Sequence, residues 1–427
     1  DSWVHVQDPK AATAKAKDLV RMAAAKVTYG DSLKPISVPI TQKSLVIGGG
    51  VAGMTSALNL AEQGFEVHLV EQTDTLGGNA LHLKHTWAGE HVPTQVAKLV
   101  DKVIWHEKIV LHKETKVTAV EGFVGNFHST ITAKDGKSKV IDHGAGIVAT
   151  GGEPFTPKDY NYESITRVVT SVQFDKLFEL KEKHVKNAKR FVFIQCVGSR
   201  EGDNMYCSKV CCTHSVQSAI ALKKENPDRN VYILYRDMRT YGQREALYKQ
   251  ARKLGVIFIN YELHGKPKVT EDGSLLSVEV WDHVLHRPLK IETDLVILAT
   301  AVRPKPDAAD LGKLYKVPVD GHGFFQEAHA KLRPVDFSTD GMFVAGLAHY
   351  PKPIEESVAQ ALAASARAAT LLSKTSVSLD AIKATVDEKF CDGCALCVDV
   401  CPYGAISLSD RPEGEGQIIR VNKAQCK

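Results

Sequence analysis

The sequence predicts an α/β fold with two nucleotide-binding βαβ units, followed by a small cysteine-rich α+β domain at the C-terminus. Two segments have the order strand, turn, helix, strand, and their first strands begin at Lys43 and Phe191. Apolar strands that alternate with helices are typical of doubly wound parallel sheets. A run of four closely spaced cysteines begins at Cys391, outside both units. These observations predict two dinucleotide-binding-type domains and a separate terminal domain.

The composition is that of an ordinary globular protein with a sizeable core. The 427 residues are 24% charged and 44% hydrophobic, with a net charge of +4. Because the charge is small and no dense Lys/Arg tract occurs, we expect neither nucleic acid nor an anionic membrane surface as the main partner. No apolar run approaches the roughly 18 to 20 residues that span a bilayer, and the N-terminus lacks the apolar core of a signal peptide. These features predict a cytoplasmic protein.

Residues 43–71 carry the pattern of a dinucleotide site. Gly48, Gly50 and Gly53 follow an apolar strand in G-x-G-x-x-G spacing. In such a site the first glycine permits a tight turn, the second lets a pyrophosphate approach the backbone, and the third brings helix against strand. The N-terminus of the helix stabilises the negative charge of the pyrophosphate. Glu71, at the end of the second strand, is placed to accept hydrogen bonds from a ribose hydroxyl.

The C-terminal cysteines have the spacing of an iron–sulfur site. Cys391, Cys394, Cys397 and Cys401 form C-x2-C-x2-C-x3-C-P, the run of bacterial ferredoxins, which zinc sites seldom use. In two-cluster ferredoxins the fourth cysteine of each run ligates the other cluster. By this rule Cys401 belongs with a second run, of which Cys426 is the first cysteine, and the first cluster lacks its fourth ligand. The alternative is a single cluster held by the four cysteines of the run, so we expect one or two clusters here.

A second group of cysteines lies in the middle of the chain, where the second βαβ unit should bind a nucleotide. Only Gly198 remains of the expected glycine loop, and Cys196 has a side chain where a pyrophosphate needs bare backbone, so we do not expect a normal nicotinamide site. Without a secretion signal, grouped cysteines favour metal or redox chemistry over structural disulfides. A redox disulfide and buried structural cysteines are the alternatives to a cluster. The four residues are Cys196, Cys207, Cys211 and Cys212.

Four segments after Glu71 resemble the two-dinucleotide-domain flavoproteins, the group that contains thioredoxin reductase. They are the pair Gly77 and Gly78, GIVATGG (146–152), LVILATAVRP (295–304) and the strand–helix segment from Ser338. The resemblance implies FAD as the cofactor. One departure is Leu347, where the family usually has the Asp that binds the ribityl chain. The expected flavin-binding residues are Gly48, Gly50, Val51, Ala52, Gly53, Glu71, Gly77, Gly78, Asn79, Thr150, Gly151, Gly346 and Leu347.

The order of the motifs predicts four parts of the chain. Asp8 and Pro9 predict the start of an N-terminal helix whose apolar stripe, including Val20 and Val27, is expected to pack. A serine-rich linker is expected after Leu372. The parts are an N-terminal helical segment (1–40), a discontinuous FAD-binding domain (41–153 and 290–373), an NAD(P)-domain-like insert that carries an iron–sulfur cluster (154–289) and a truncated ferredoxin-like domain (380–427).

Over nearly its whole length the chain resembles the A subunit of heterodisulfide reductase, the flavoprotein of methanogens and of related complexes in anaerobic bacteria. The strings that carry the resemblance, beside the flavin and ferredoxin motifs, are KDLVRMAAAK (17–26), QCVGSR (195–200) and CSKVCC (207–212). The resemblance implies a 4Fe-4S cluster held by the four middle cysteines, close to the FAD. The family's N-terminal cluster domain, second ferredoxin run and occasional inserted ferredoxin domain are missing. We therefore expect the shorter version of the family and, since the chain begins at Asp1 without Met, a fragment.

What the resemblance implies for function is flavin-based electron bifurcation. Electron pairs from a hydrogenase or formate dehydrogenase module would reach FAD, which would send one electron to a disulfide-reducing partner and the other to ferredoxin. The expected partners are disulfide-reducing and iron–sulfur subunits, the donor module and ferredoxin, with the chain as a homodimer within the complex. The alternative is an NAD(P)H-dependent flavoprotein disulfide reductase that uses Cys207, Cys211 and Cys212.

No catalytic side chain is predicted, because the flavin itself is the redox centre. Lys352 precedes the helix that should face the flavin, and it either stabilises a reduced, anionic flavin or is a solvated loop lysine. The residues after the glycine pair are weaker candidates for lining the flavin, and two arginines of the insert are expected to form ion pairs. These residues are His82, Lys84 and His85, and Arg200 and Arg236.

Overall fold

The computed structural model describes residues 5–30, 32, 35–379, 381–412 and 415–426. The chain divides into two compact units. The larger unit is Pro39–Val377, and the smaller unit combines Asp1–Val38 with Ser378–Lys427.

The secondary structure of the described residues is mixed α and β. The α-helices are α1 (Pro9–Thr28), α2 (Val51–Glu62), α3 (Val92–Ile104), α4 (Ser171–Glu179), α5 (Lys183–Asn187), α6 (Cys211–Glu225), α7 (Glu245–Lys253), α8 (Ala308–Tyr315), α9 (Ile354–Leu372) and α10 (Leu396–Val400). The first eleven strands are β1 (Ile36–Pro39), β2 (Lys43–Ile47), β3 (Glu66–Val70), β4 (Ile109–His112), β5 (Thr115–Phe123), β6 (Asn126–Ala133), β7 (Ser138–His143), β8 (Ala145–Val148), β9 (Gly152–Pro154), β10 (Val168–Thr170) and β11 (Arg190–Val197). The remaining strands are β12 (Asn230–Tyr235), β13 (Ile257–Asn260), β14 (Lys268–Asp272), β15 (Leu275–Asp282), β16 (Arg287–Thr293), β17 (Leu295–Thr300), β18 (Val302–Pro304), β19 (Met342–Val344), β20 (Ser376–Leu379), β21 (Ile406–Asp410) and β22 (Gln417–Val421).

The first nucleotide-binding unit is a five-stranded parallel sheet in the order β19-β8-β2-β3-β4. Its three central strands, β8, β2 and β3, are buried, as expected for a parallel sheet covered by helices on its faces. The cluster of apolar residues on one face joins this sheet to α2 and α9, with Met54, Leu60, Ala364 and Leu372 among its fully buried members. The sheet therefore combines an early and a late part of the sequence.

The second nucleotide-binding unit is another five-stranded parallel sheet, in the order β10-β17-β11-β12-β13. The sequence assigns residues from 290 onward to the flavin domain, but β17 lies between β10 and β11 in this second sheet, so that boundary is wrong for this strand. The reason is that β17 follows an antiparallel meander, β14-β15-β16, and continues directly into the sheet of the insert. The chain returns toward the first nucleotide-binding unit only after β17, where β18 pairs with β9.

The smaller unit contains α1 and a terminal β-hairpin. Asp8 accepts a hydrogen bond from Ala11 N at 3.0 Å and caps α1, as its sequence predicts. The expected packing of its apolar stripe is wrong, because Val20 and Val27 are 68% and 78% exposed and face no apolar cover in the described part of the chain. At the C-terminus, β21 and β22 form an antiparallel hairpin.

Candidate functional site

The glycine loop after β2 is too tightly folded to accept side chains at two of its three positions. A Cβ on Gly48, which has φ +111°, would lie 2.3 Å from Ala149 O, and one on Gly53 would lie 1.8 Å from Gly48 O. A Cβ on Gly50 would meet nothing within 4 Å. Gly48 and Gly53 therefore fix the turn and the contact of helix with strand, while Gly50 faces open space.

That open space is a cavity of about 350 Å³ at the loop, within the size range of small-molecule sites. Every expected flavin residue except Gly53 lines the cavity, and Gly53 lies beneath the loop against Gly48. The hydroxyl of Thr150 is buried and has no hydrogen-bond partner within the described residues. Asn79 is oriented by donating to Gly152 O at 2.7 Å. The wall thus offers bare backbone and one unsatisfied hydroxyl, which suits a dinucleotide.

Three helices begin at the wall of this cavity without a capping side chain. They are α2, α6 and α9, whose N-cap residues are Gly50, Val210 and Pro353. The first N–H groups of an uncapped helix lack intrahelical acceptors and carry a partial positive charge. The cavity is therefore suited to a ligand with negative charges, such as a pyrophosphate.

The carboxylate of Glu71 is buried at the cavity wall and organises the loops around it. One oxygen accepts a hydrogen bond from Gly49 N at 2.6 Å, and the other accepts from the backbone N and the hydroxyl of Thr73, both at 2.8 Å. Each carboxylate oxygen can accept more than one hydrogen bond. The contact with a ribose hydroxyl that the sequence predicts stays a prediction.

Lys352 lies in the cavity wall and is held by backbone carbonyls. Its ammonium donates to Gly346 O at 2.7 Å and to Tyr350 O at 2.9 Å. Burial, together with the nearby charge of Lys209, lowers the pKa of Lys352 to about 7, although Glu356 and Glu327 oppose the shift. Lys352 is therefore a wall residue and not a solvated loop lysine. Of the other candidates after the glycine pair, His82 and His85 line the cavity, and Lys84 forms an ion pair with Glu179.

The four middle cysteines come together beside the same cavity. Burial raises the pKa of Cys211 well above its usual value, and the nearby thiols of Cys212, Cys196 and Cys207 raise it further. Cys211 also lines the cavity. None of the four forms a disulfide, and no group of three or more His, Cys, Asp or Glu in the described ranges has ligating geometry. The chain folds so that thiols from three different places in the sequence approach one another.

The loop after β11 does not resemble an open phosphate-binding loop. Gly198 N donates to Glu201 Oε1 at 3.0 Å, and a Cβ on Gly198 would lie 2.3 Å from the ring of Phe155. Of the two arginines that the sequence assigns to ion pairing, Arg200 does pair, with Asp237 at 2.5 Å, whereas Arg236 instead donates to the backbone of this loop, at Arg200 O, at 2.8 Å. The space where a pyrophosphate would approach is filled by the chain itself.

The C-terminal cysteines lie at two ends of the hairpin. Arg411 donates to Cys391 O, and a Cβ on Gly393 would lie 2.5 Å from Gln417 O, so the first cysteines flank the hairpin turn. Cys401 precedes β21 and Cys426 follows β22, both at the opposite end. The five-residue strands make these ends about 14 Å apart at 3.4 Å per residue. This division matches the two-cluster alternative.

Sequence reasoning missed a cluster of charged and aromatic residues at the cavity wall. Arg244 is almost buried, forms an ion pair with Glu355 at the start of α9, and lies 4.4 Å from the ring centroid of Tyr241. Lys209 pairs with Glu356 at 2.7 Å. These contacts connect the insert to the flavin-facing helix. Because the partners are far apart in sequence and form no motif, spacing alone gives no signal that would have found them.

Comparison with known proteins agrees with this geometry. The family model described as pyridine nucleotide-disulphide oxidoreductase matches residues 42–196, and the 4Fe-4S binding domain matches residues 384–407. The chain is 34% identical to the second iron–sulfur A subunit of the CoB–CoM heterodisulfide reductase of Methanopyrus kandleri, over 98% of this chain and 77% of the relative. The chain belongs to the family of heterodisulfide reductase A subunits. It is accordingly an oxidoreductase with a flavoprotein-type domain and a 4Fe-4S binding domain.

Two further relatives in this family have names that include H2, or H2 and formate. The A subunit of the H2:CoB-CoM heterodisulfide,ferredoxin reductase of Methanothermobacter thermautotrophicus is 32% identical, over 96% of this chain and 76% of its own. The A subunit of the H2/formate:CoB-CoM heterodisulfide,ferredoxin reductase of Methanococcus maripaludis is 29% identical, over 99% and 77%.

Among solved structures, thioredoxin reductases share the fold. That of Lactococcus lactis has a TM-score of 0.55 at 18% identity and covers 78% of this chain and 99% of its own. That of T. acidophilum has a TM-score of 0.52 at 16% identity, with 77% and 97% covered. The predicted fold class is thereby confirmed. Within the described residues, no helix is both long enough and apolar enough to cross a membrane.

Proposed function

We propose that this chain is the FAD- and iron–sulfur-binding electron-transfer subunit of a heterodisulfide reductase-type complex. The observation that carries the proposal is that Cys211 lines the same cavity as the glycine loop. FAD, when bound, accepts electrons in pairs and releases them singly. The task of the chain is to hold this cofactor and to place thiols for a cluster directly beside it.

The residues of the glycine loop and α2 would hold the FAD pyrophosphate. Gly50 leaves the approach open, and the uncapped N–H groups of α2 stabilise the negative charge. Glu71 keeps acceptor capacity for a ribose hydroxyl, and Thr150 offers a hydroxyl that needs a partner. Leu347 lies where the family's ribityl-binding Asp is expected, so the ribityl chain has an apolar neighbour there. Lys352 adds positive charge, which favours a flavin that carries negative charge.

A 4Fe-4S cluster held by Cys196, Cys207, Cys211 and Cys212 would border the flavin cavity without an intervening layer. Its position at the N-terminus of α6 offers the ligands partial positive charge, but burial raises the pKa of Cys211, so the thiols would lose their protons as the metal binds. In the terminal domain we propose that Cys401 and Cys426 serve a second cluster, apart from that of Cys391. The three clusters would then act as one-electron carriers for the electrons that FAD receives in pairs.

The complex itself is also part of the proposal. The relatives' names state H2 or formate as donors, and a heterodisulfide and ferredoxin as acceptors. We propose that this chain bifurcates electron pairs between a disulfide-reducing partner and ferredoxin, as a homodimer within a complex that includes a hydrogenase or formate dehydrogenase module. The loop after β11 supports a donor other than NAD(P)H, because Glu201 and Phe155 occupy its glycine turn.

The decisive experiment is anaerobic determination of iron, sulfide and FAD, with EPR, on the reconstituted chain. The test variant is the double substitution Cys207→Ser and Cys211→Ser, and the matched control is Cys391→Ser with Cys394→Ser. We expect the test variant to lose one EPR-visible cluster and to keep its FAD. The control should lose a different signal.

Two results would contradict the proposal. Unchanged iron in the test variant would show that the middle cysteines hold no cluster. Bleaching of the flavin by NAD(P)H, with no iron in the middle domain, would establish the disulfide reductase alternative.

A further inference from the structure

One buried glutamine beside the middle cysteines has no hydrogen-bond partner for either atom of its amide. Gln195, near the end of β11, is fully buried, and neither its Nε2 nor its Oε1 has a partner within the described residues. Its backbone is held in place, because the hydroxyl of Tyr261 donates to Gln195 O at 2.6 Å. An unpaired buried amide is costly, and buried polar groups are nearly always paired. The amide of Gln195 is therefore available to a bound group.

The alternation of side chains along β11 places this amide on the side of α6. Phe191 and Phe193 pack in the same apolar cluster as Val216 of α6. The register of β11 against both of its neighbours is regular up to the residue before Gln195. Because successive side chains of a strand point to opposite faces, Gln195 lies on the same face as Phe193. The amide is thus located between the sheet and α6.

The two thiols at the start of α6 lie on either side of this position. Cys211 Sγ donates to the last carbonyl of β17, and Cys212 Sγ donates to Asp237 O just after β12, both at 3.6 Å. β17 and β12 are the two neighbours of β11 in the sheet. Cys196, the residue after Gln195, has φ +62°, in the left-handed region that few residues other than glycine adopt. Gln195 therefore lies between two of the proposed cluster ligands and beside a third.

We propose that Gln195 Nε2 donates a hydrogen bond to a sulfur of the cluster held by the middle cysteines, and that this bond raises the reduction potential of that cluster. The inference rests on the proposed function, which assigns a 4Fe-4S cluster to these cysteines. Reduction adds one electron, and therefore one negative charge, to the cluster. Hydrogen bonds to the sulfurs of a cluster tune its potential, because a donor stabilises the more negative state. Gln195 thus makes the cluster a better acceptor for electrons from the flavin.

Two other partners for the amide have to be considered. The flavin is a poor candidate, because Gln195 is not among the described residues that line the cavity at the glycine loop. A buried water is the competing partner, since the hydroxyl of Ser215, beside Val216 in α6, is also buried and unpaired. One buried water bonds to several such groups. The two explanations differ in one measurable respect, because a water partner leaves the potential of the cluster independent of Gln195.

The test variant is Gln195→Leu, which replaces the amide with an apolar group of similar size. Because the wild-type amide is unpaired in the polypeptide alone, we expect the cluster-free variant to be at least as stable as the cluster-free wild type. Gln195→Met, with an unbranched side chain, is a second variant in case leucine does not fit. The matched control is Gln42→Leu, immediately before β2 in the first nucleotide-binding unit, where the amide donates to Leu372 O at 3.0 Å.

The measurement is a redox titration of the reconstituted full chain with dithionite, followed by EPR. The signal of the middle cluster is the one that disappears in the Cys207→Ser, Cys211→Ser variant, and the terminal clusters are the internal reference. At a fixed potential, both Gln195 variants should have an oxidised-to-reduced ratio of the middle cluster that is about 10-fold higher, which is a shift of about 59 mV to lower potential for one electron. Pulsed EPR in D2O should show the loss of a coupling to an exchangeable deuteron. The terminal clusters, and every cluster of Gln42→Leu, should keep their wild-type potentials.

Three results would overturn the inference. If both Gln195 variants keep the wild-type potential of the middle cluster, the hydrogen bond to sulfur is excluded and the proposed function stands. If both variants fold but assemble no middle cluster, the amide is needed for assembly, and its role in tuning the potential is excluded. If the wild-type chain has no EPR signal that depends on Cys207 and Cys211, the proposed function falls, and this inference falls with it.

Discussion

Replacing Gly50 with alanine should weaken ligand binding without disturbing the fold, whereas alanine at Gly48 or Gly53 would disturb the fold itself. Gly50 is the N-cap of α2, with φ −74° and ψ −179°, a conformation that any residue adopts. Its added Cβ would meet no atom within 4 Å. At Gly53, in contrast, the Cβ would lie 1.8 Å from a backbone oxygen, so the helix itself would have to move. Gly50→Ala should therefore fold normally.

The cost of Gly50→Ala appears only when the dinucleotide is bound. A Gly-to-Ala change at a compatible position alters the free energy of unfolding by about 1 kcal/mol or less. An extra methyl group against a close-packed ligand costs about 1–3 kcal/mol, which corresponds to a roughly 5- to 150-fold weaker affinity for FAD. The assay is titration of apo protein with FAD by flavin fluorescence, beside thermal unfolding without FAD. Gly265→Ala, which also has open space, is the matched control. A folded Gly50→Ala variant with wild-type affinity would refute the placement of the pyrophosphate at this loop.

Two further predictions concern stability. Burial lowers the pKa of His143 to about 4, whereas in the unfolded chain the imidazole binds its proton near pH 6.5. The free energy of unfolding is therefore unaffected by this histidine above about pH 6.5, and it falls by up to about 3 kcal/mol as the pH drops to 4. Denaturant unfolding of His143→Gln across this range should show a correspondingly flatter pH dependence, and an unchanged slope would contradict the assignment. Arg244→Met removes the contacts with Glu355 and Tyr241 and should lower the free energy of unfolding by roughly 1–2 kcal/mol, as measured by thermal unfolding. The control is Arg252→Met, because the guanidinium of Arg252 lies 5.7 Å from one aromatic ring. An effect of Arg244→Met no larger than that of the control would show that the cluster contributes little.

Local chemistry explains which parts of the fold the sequence predicts well. The helix that should face the flavin, α9, begins at Ile354 as expected, directly after Pro353. After the middle cysteines the sequence pattern predicts a helix over 215–224, whereas α6 begins four residues earlier, at Cys211, with Val210 as its N-cap. α6 has neither a capping side chain nor a proline at its start, unlike α9, so the sequence carries no start signal there. The same absence of a cap is what makes its end available to a ligand.

Long-range contacts explain what the sequence could not provide. The placement of β17 depends on pairing with β11, which precedes it by about a hundred residues and has no distinguishing pattern. The environment of Lys352 likewise depends on Glu327 and His349, which belong to no motif. Spacing identifies residues that share one loop or helix face, but burial and partners at a distance decide the pKa of a lysine.

The two βαβ units share one physical device, an uncapped helix N-terminus at the cavity, which we propose serves a different ligand in each unit. In each, a parallel strand leads through a loop to an uncapped helix that begins at the wall of the same cavity. At α2 the turn is bare backbone, which suits a pyrophosphate that diffuses in. At the second site Cys211 and Cys212 are the first residues of α6, and in the loop before the helix the backbone N–H of Gly198 is already bonded to Glu201. A ligand at the second site would therefore be held by side chains, and the proposed cluster, fixed in this way, would set one path for electrons that leave the cavity.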